Sequence, residues 1–196
     1  MARSTAKILF ATFTCLALLM AGSFARAAEE EIVENPVYAS WAKHKPGTTV
    51  TGTMKATVGG QAITSDLSSK LLEVTPEKVV VEETRKTNIP GANIPPEITK
   101  EEIQAKIKKS EVETAAFGAD MKAKVQDAGT EKLEIGGKSY ECKVREFTSD
   151  EQNFKMTGKT WESADVPGTN VKMESTGETP GGPMKMTVTL TKVELK

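Results

Sequence analysis

The sequence predicts a mainly β, α+β protein: a single curved antiparallel sheet or half-barrel that carries a helical insertion. Three observations predict it. Apolar and polar residues alternate with period two in run after run of the 196-residue chain. Glycine pairs and Pro-Gly dipeptides separate those runs at hairpin spacing. One stretch, 99–109, breaks the alternation with a helical signature.

Taken in order, Asn35 and Pro36 read as an N-cap and first helical position, starting a short helix through Tyr38, Trp41 and Ala42 that Pro46-Gly47 ends. Thr48 to Val58 alternates, with Val50, Met54, Ala56 and Val58 on one face and Thr49, Thr51, Thr53 and Lys55 on the other. Gly59-Gly60 suits a two-residue turn whose central positions both need positive φ. Thr64 to Val74 is the return strand, Thr75-Pro76-Glu77-Lys78 a turn, and Val79 to about Thr87 a third strand. The prolines at 90, 95 and 96 predict an extended loop.

Thr99 and Glu102 have the spacing of a capping box, Ile98 and Ile103 that of a staple, and Ile103 and Ile107 share a helical face beside Glu102 and Lys106. The spacing predicts a helix over 99–109. A second helix, to about Asp127, is suggested by Ser110 and Glu113 and by Phe117, Met121 and Val125 at intervals of four. Alternation resumes at Glu131–Ile135, turns at Gly136-Gly137 and returns through Lys138 to Phe147. Strands at about 153–163, 169–176 and 184–195 complete the sheet, joined by Val166-Pro167-Gly168 and the 180–183 loop.

Residues 1–27 read as a cleaved signal peptide: basic Arg3 and Lys7, an uncharged run from Ile8 to Met20, and a small-x-small site with Ala25 and Ala27 around Arg26. The run is shorter than the roughly 20 residues of a spanning helix. Cys15 lies inside it rather than at the cleavage point, which argues against a lipid anchor. The expected mature chain, 28–196, is one β-rich domain with its helical insertion at about 97–128, soluble in the periplasm or outside the cell. Losing Arg3, Lys7 and Arg26 leaves 23 basic residues against 27 acidic, a net charge of −4 that does not attract nucleic acid. Only Cys142 remains, so no intramolecular disulfide can form.

Motifs for chemistry are weak. Gly158-Lys159-Thr160 lacks the earlier glycine of a phosphate-binding loop, since Asn153 stands five residues before it. Ser40 and Lys43 have Ser-x-x-Lys spacing without the companion elements. His44, the lone histidine, reads as an exposed helix end, and Cys142 as a small buried hydrophobe between Tyr140 and Val144. Glu162 and Asp165 near Trp161 are the one carboxylate pair with an acid/base reading. Met54, Met156, Met173, Met184 and Met186 all fall in expected strands, where flexible thioethers suit an adaptable apolar surface. The candidate apolar ligand face is Met54, Tyr140, Cys142, Met173 and Met186; no catalytic residue, metal ligand or cofactor is assigned.

The order of elements, with Gly136-Gly137-Lys138-Ser139-Tyr140-Glu141-Cys142 and Lys159-Thr160-Trp161 followed by Pro167-Gly168, resembles a group of uncharacterised exported bacterial proteins. More distantly it is similar to lipoprotein-localisation-factor half-barrels, in which a curved sheet wraps helices around an apolar cavity. That likeness implies acyl-chain binding and transfers no particular residue. The expectation is a soluble, exported, non-enzymatic binding or carrier module for a lipid, another apolar ligand or an envelope protein. The alternatives are an exported hydrolase using carboxylates near Trp161, or a structural envelope protein. Oligomeric state is not legible.

Overall fold

In the computed structural model, residues 30–89, 91–112, 123–151 and 154–196 are described. They form β1 (Ile32–Glu34), α1 (Pro36–Ala42), β2 (Thr49–Val58), β3 (Gln61–Val74), β4 (Lys78–Asn88), β5 (Glu97–Gln104), β6 (Lys106–Lys108), β7 (Lys124–Ile135), β8 (Lys138–Glu151), β9 (Phe154–Glu162), β10 (Asn170–Thr179) and β11 (Gly182–Glu194). The strands with strong alternation pair with their sequence neighbours, because each buries one face and a short turn makes the antiparallel partner the nearest one. Among the described residues this gives a nine-stranded sheet in the order β5-β4-β3-β2-β11-β10-β9-β8-β7. Two meanders therefore meet where the last strand, β11, lies against β2. Edges β5 and β7 do not pair with one another, so the sheet stays open.

Local chemistry explains the ends. Asn35 Oδ1 accepts from Val37 N at 3.0 Å, capping α1 with Pro36 in its first turn. Gly59 and Gly60 take φ of 56° and 86° at the β2–β3 turn, the left-handed values that such a hairpin needs. Thr75 closes the β3–β4 turn, its hydroxyl accepting from Lys78 N at 3.1 Å. Bulges interrupt the registers at Leu72 of β3, at Val171 of β10, at Thr191 of β11 and at Ala128 of β7. Each bulge bends its strand and raises the local twist, which curves the sheet.

Two apolar clusters sit at the end of the sheet where α1 lies. One joins Trp41 with Val50, Leu71, Val79 and Val81. The other joins Ile135, Tyr140, Cys142, Val144, Trp161, Val166 and Val171, and Leu190 and Val193 touch both. Burying each such side chain contributes roughly 1.5–3 kcal/mol. Cys142, like Val144, is fully packed, as the alternation of β8 implied.

The helix expected over 99–109 is absent. Glu97–Gln104 is strand β5, Lys106–Lys108 is β6 paired with β1, and only Lys109–Glu111 makes a 3-10 turn. The cause is tertiary. A helix of about ten residues is marginal in water by itself, whereas β4 presents a full edge to which β5 adds a ladder of backbone bonds. Ile103 then lies opposite the buried Val79, and Glu102 pairs with Lys78 of β4 at 2.6 Å rather than with Lys106. Most of the second helix, 113–122, lies outside the described residues. Its expected end does not hold, because Val125 in β7 pairs with Phe147. The insertion placed at about 97–128 is thus strand at 97–104 and again from Lys124. The leader, with Ala25 and Ala27, also lies outside the described residues.

Candidate functional site

A groove of about 610 Å³ opens over the face of the sheet that α1 partly covers. Its floor is built by register. Val50 and Gly52 of β2 stand opposite Ser69 and Leu67 of β3, Gly52 also opposite Leu190 of β11, and Ser69 opposite Glu83 of β4. Val81 lies opposite Glu101 of β5. Paired residues share a face, so these side chains line one surface. Val37 and Trp41 of α1 and Pro167, Gly168 and Asn170 beyond the β9 end complete the lining.

The helix is fixed over the groove by its polar groups. Tyr38 Oη donates to Thr75 O at 2.7 Å, and Gly168 N donates to Ser40 Oγ at 2.9 Å. Ser40 is buried and donates in turn to Val37 O, while Lys43 Nζ donates to Ala164 O at 3.2 Å. Both residues of the Ser-x-x-Lys spacing thus tie α1 to the turn after β9. His44 differs from its reading as an exposed helix end. It is partly buried, and desolvation, then Lys43, then Lys138 hold its pKa below the ordinary value.

The methionines share a face. Met54 pairs with Val188, Val188 pairs with Met173, and Met186 and Met184 lie two and four residues along the same strand. Met184 and Met156 both oppose Gly177 of β10, which has no side chain to separate them. Met54, Met156, Met173, Met184 and Met186, which are all the methionines among the described residues, therefore project from one face across four strands. Val188 joins this band to the groove floor. Ser175, opposite Met186, is buried with its Oγ unpaired.

Of the five residues singled out from the sequence, the structure brings Met54, Met173 and Met186 together and separates Tyr140 and Cys142 from them. Met173 opposes Thr160 while Lys172 opposes Trp161, and Trp161 opposes Val144. Register therefore sets Trp161, Val144, Cys142 and Tyr140 on the other side, in the packed cluster. Burial raises the pKa of the Cys142 thiol. Sequence reasoning missed Glu83, Glu101, Ile103 and Asn170. Reading 99–109 as helix concealed the alternation that places Glu101 and Ile103 beside Val81.

The two carboxylates near Trp161 sit in different surroundings. Glu162 is mostly buried, 3.6 Å from the similarly sheltered Arg145 Nε, and accepts from Thr160 Oγ1 at 3.2 Å; Asp165 is exposed on the following turn. Trp161 Nε1 donates to Glu131 Oε2 at 2.8 Å, and Lys172 Nζ stacks over its ring at 4.5 Å. Among the described residues, no group of three or more His, Cys, Asp or Glu is placed to hold a metal ion. No helix among them is long and apolar enough to cross a membrane.

No family model matches the chain, and no curated protein matches it. Solved structures align with much of the chain at low identity. A proposed exported protein with a YmcC-like fold from Bacteroides fragilis aligns at a TM-score of 0.42 and 9% identity, over 77% of this chain and 97% of that one. A proposed lipoprotein from Parabacteroides distasonis aligns at 0.45 and 13% identity, over 77% and 96%. MucB in complex with MucA(peri) aligns at 0.41 and 11% identity, over 81% of this chain and 54% of that one.

Proposed function

We propose that the chain is an exported, non-enzymatic binding or carrier module that takes an apolar ligand, or an apolar segment of a partner protein, on the methionine-bearing face of its sheet. The observation that carries this reading is the continuity of that face. Five thioethers project from one side, Met156 buried and the other four partly exposed, and Val188 and Leu190 lead from them into a groove whose floor is Val50, Leu67 and Val81. Unbranched, polarizable methionine side chains repack around ligands of different shape at little cost. The groove volume falls in the range that holds a small organic ligand. The export compartment follows from the leader, and the buried pairing of Glu162 with Arg145 favours binding over hydrolysis.

The test is titration of the purified protein with N-phenyl-1-naphthylamine, a neutral fluorescent probe, together with mass spectrometry of an organic extract. Saturable, blue-shifted emission is expected. It should weaken several-fold in Met54→Gln/Met173→Gln/Met186→Gln. A flat titration and an extract free of lipid would refute the ligand reading.

A further inference from the structure

We propose that the groove selects a cationic amphiphile, a single apolar chain bearing a protonated amine, with the chain on the groove floor and the amine at the mouth between Glu83 and Glu101. The inference rests on the groove being the binding site and adds the charge of what it binds. Every charged residue lining the groove is an acid: Glu83, Glu101, Glu102 and Glu111. Two of these are engaged, since Lys78 Nζ holds Glu102 and Lys108 N donates to Glu111 Oε2 at 3.4 Å.

Glu83 and Glu101 are different. They lie one diagonal step apart on the groove face, Glu83 opposite Thr99 and Ser69, Glu101 opposite Val81, with no lysine or arginine directly across from either. Desolvation first, and then the Glu83 carboxylate, hold the pKa of Glu101 above its ordinary value, as two like charges beside an apolar floor require. The charged side chains lining the groove are thus all acids, and the nearest cation on this face, Arg85, stands further along β4 opposite Leu67 and Glu97. An ammonium group supplies three donors and the missing charge. A fatty-acid carboxylate supplies neither and meets charge of its own sign.

The experiment is displacement of bound N-phenyl-1-naphthylamine by dodecylamine, dodecanoate and dodecanol, each below its aggregation concentration, at pH 7.5 and low salt. Dodecylamine is expected to displace the probe at about three- to fivefold lower concentration than dodecanoate, the ratio that one charge pair at an exposed mouth gives. In Glu83→Gln/Glu101→Gln, with circular dichroism showing an unchanged fold, the amine-to-carboxylate ratio should fall toward one. Equal or reversed preference in the parent protein overturns the proposal, and so does a preference that survives in the double variant. Failure of both the probe and dodecanol to bind overturns the binding reading as well, whereas dodecanol binding without amine preference overturns this inference alone.

Discussion

His44 shows how a single side chain takes its properties from its neighbours rather than from its own helix. The end of α1 offers a site where a cation is ordinarily favoured, yet burial and the facing Lys43 and Lys138 disfavour the charged form. Its folded pKa lies below the unfolded value near 6.5, so the neutral ring's contribution is fully present above that pH. The contribution is lost as pH falls from there through the lowered folded value. Urea midpoints measured from pH 7.5 down to pH 5 should therefore fall more steeply for the parent than for His44→Gln; parallel curves would show that His44 is not responsible. Asn35 and Pro36 were legible at this scale because capping chemistry is local. The burial of His44 was not, since Lys138 reaches it from 94 residues away.

Elements register how closely neighbouring strands pack. Gly158 of β9 lies under the ring of Phe147, and a Cβ there would come within 2.7 Å of Phe147 Cζ and collide with Glu174 O of β10. Gly158→Ala is expected to destabilise the fold by about 1–3 kcal/mol, the usual cost of overpacking, read as a lower urea midpoint. A midpoint within error of the parent would show that β9 and β10 can move apart. Hairpins β2–β3 and β7–β8 could be read from their glycine pairs and alternation, because both signals lie within the element. β5 could not: as an edge strand with only Ile103 partly sheltered, it lacks a two-residue apolar period. Thr99, Glu102, Ile103 and Ile107 supply helical spacing instead, and the partner that settles the matter, β4, is decided outside the segment. That same misreading hid Glu101, half of the acidic pair. Tyr140 and Cys142 alternate as expected, but which face they join is set three strands away through β9 and β10.

For the molecule as a whole, the thiol of Cys142 reports on global opening. It lies on the interior strand β8, fully buried among Tyr140, Val144 and Trp161. A thiol reagent should modify the native protein at least a hundredfold more slowly than the urea-unfolded chain, because no small local opening reaches such a site; comparable rates would show that the β7–β9 end breathes independently. The open sheet has a further consequence for association between copies. Two copies of β5 joining edge to edge about a two-fold axis must place one residue opposite itself. Centring on Lys100, Glu101 or Glu102 opposes like charges directly, and centring on Thr99 sets Glu97 against Glu101. Like charges directly across a ladder are destabilising, so the exposed rim of β5 resists self-templated fibre growth while staying open to a strand of different sequence.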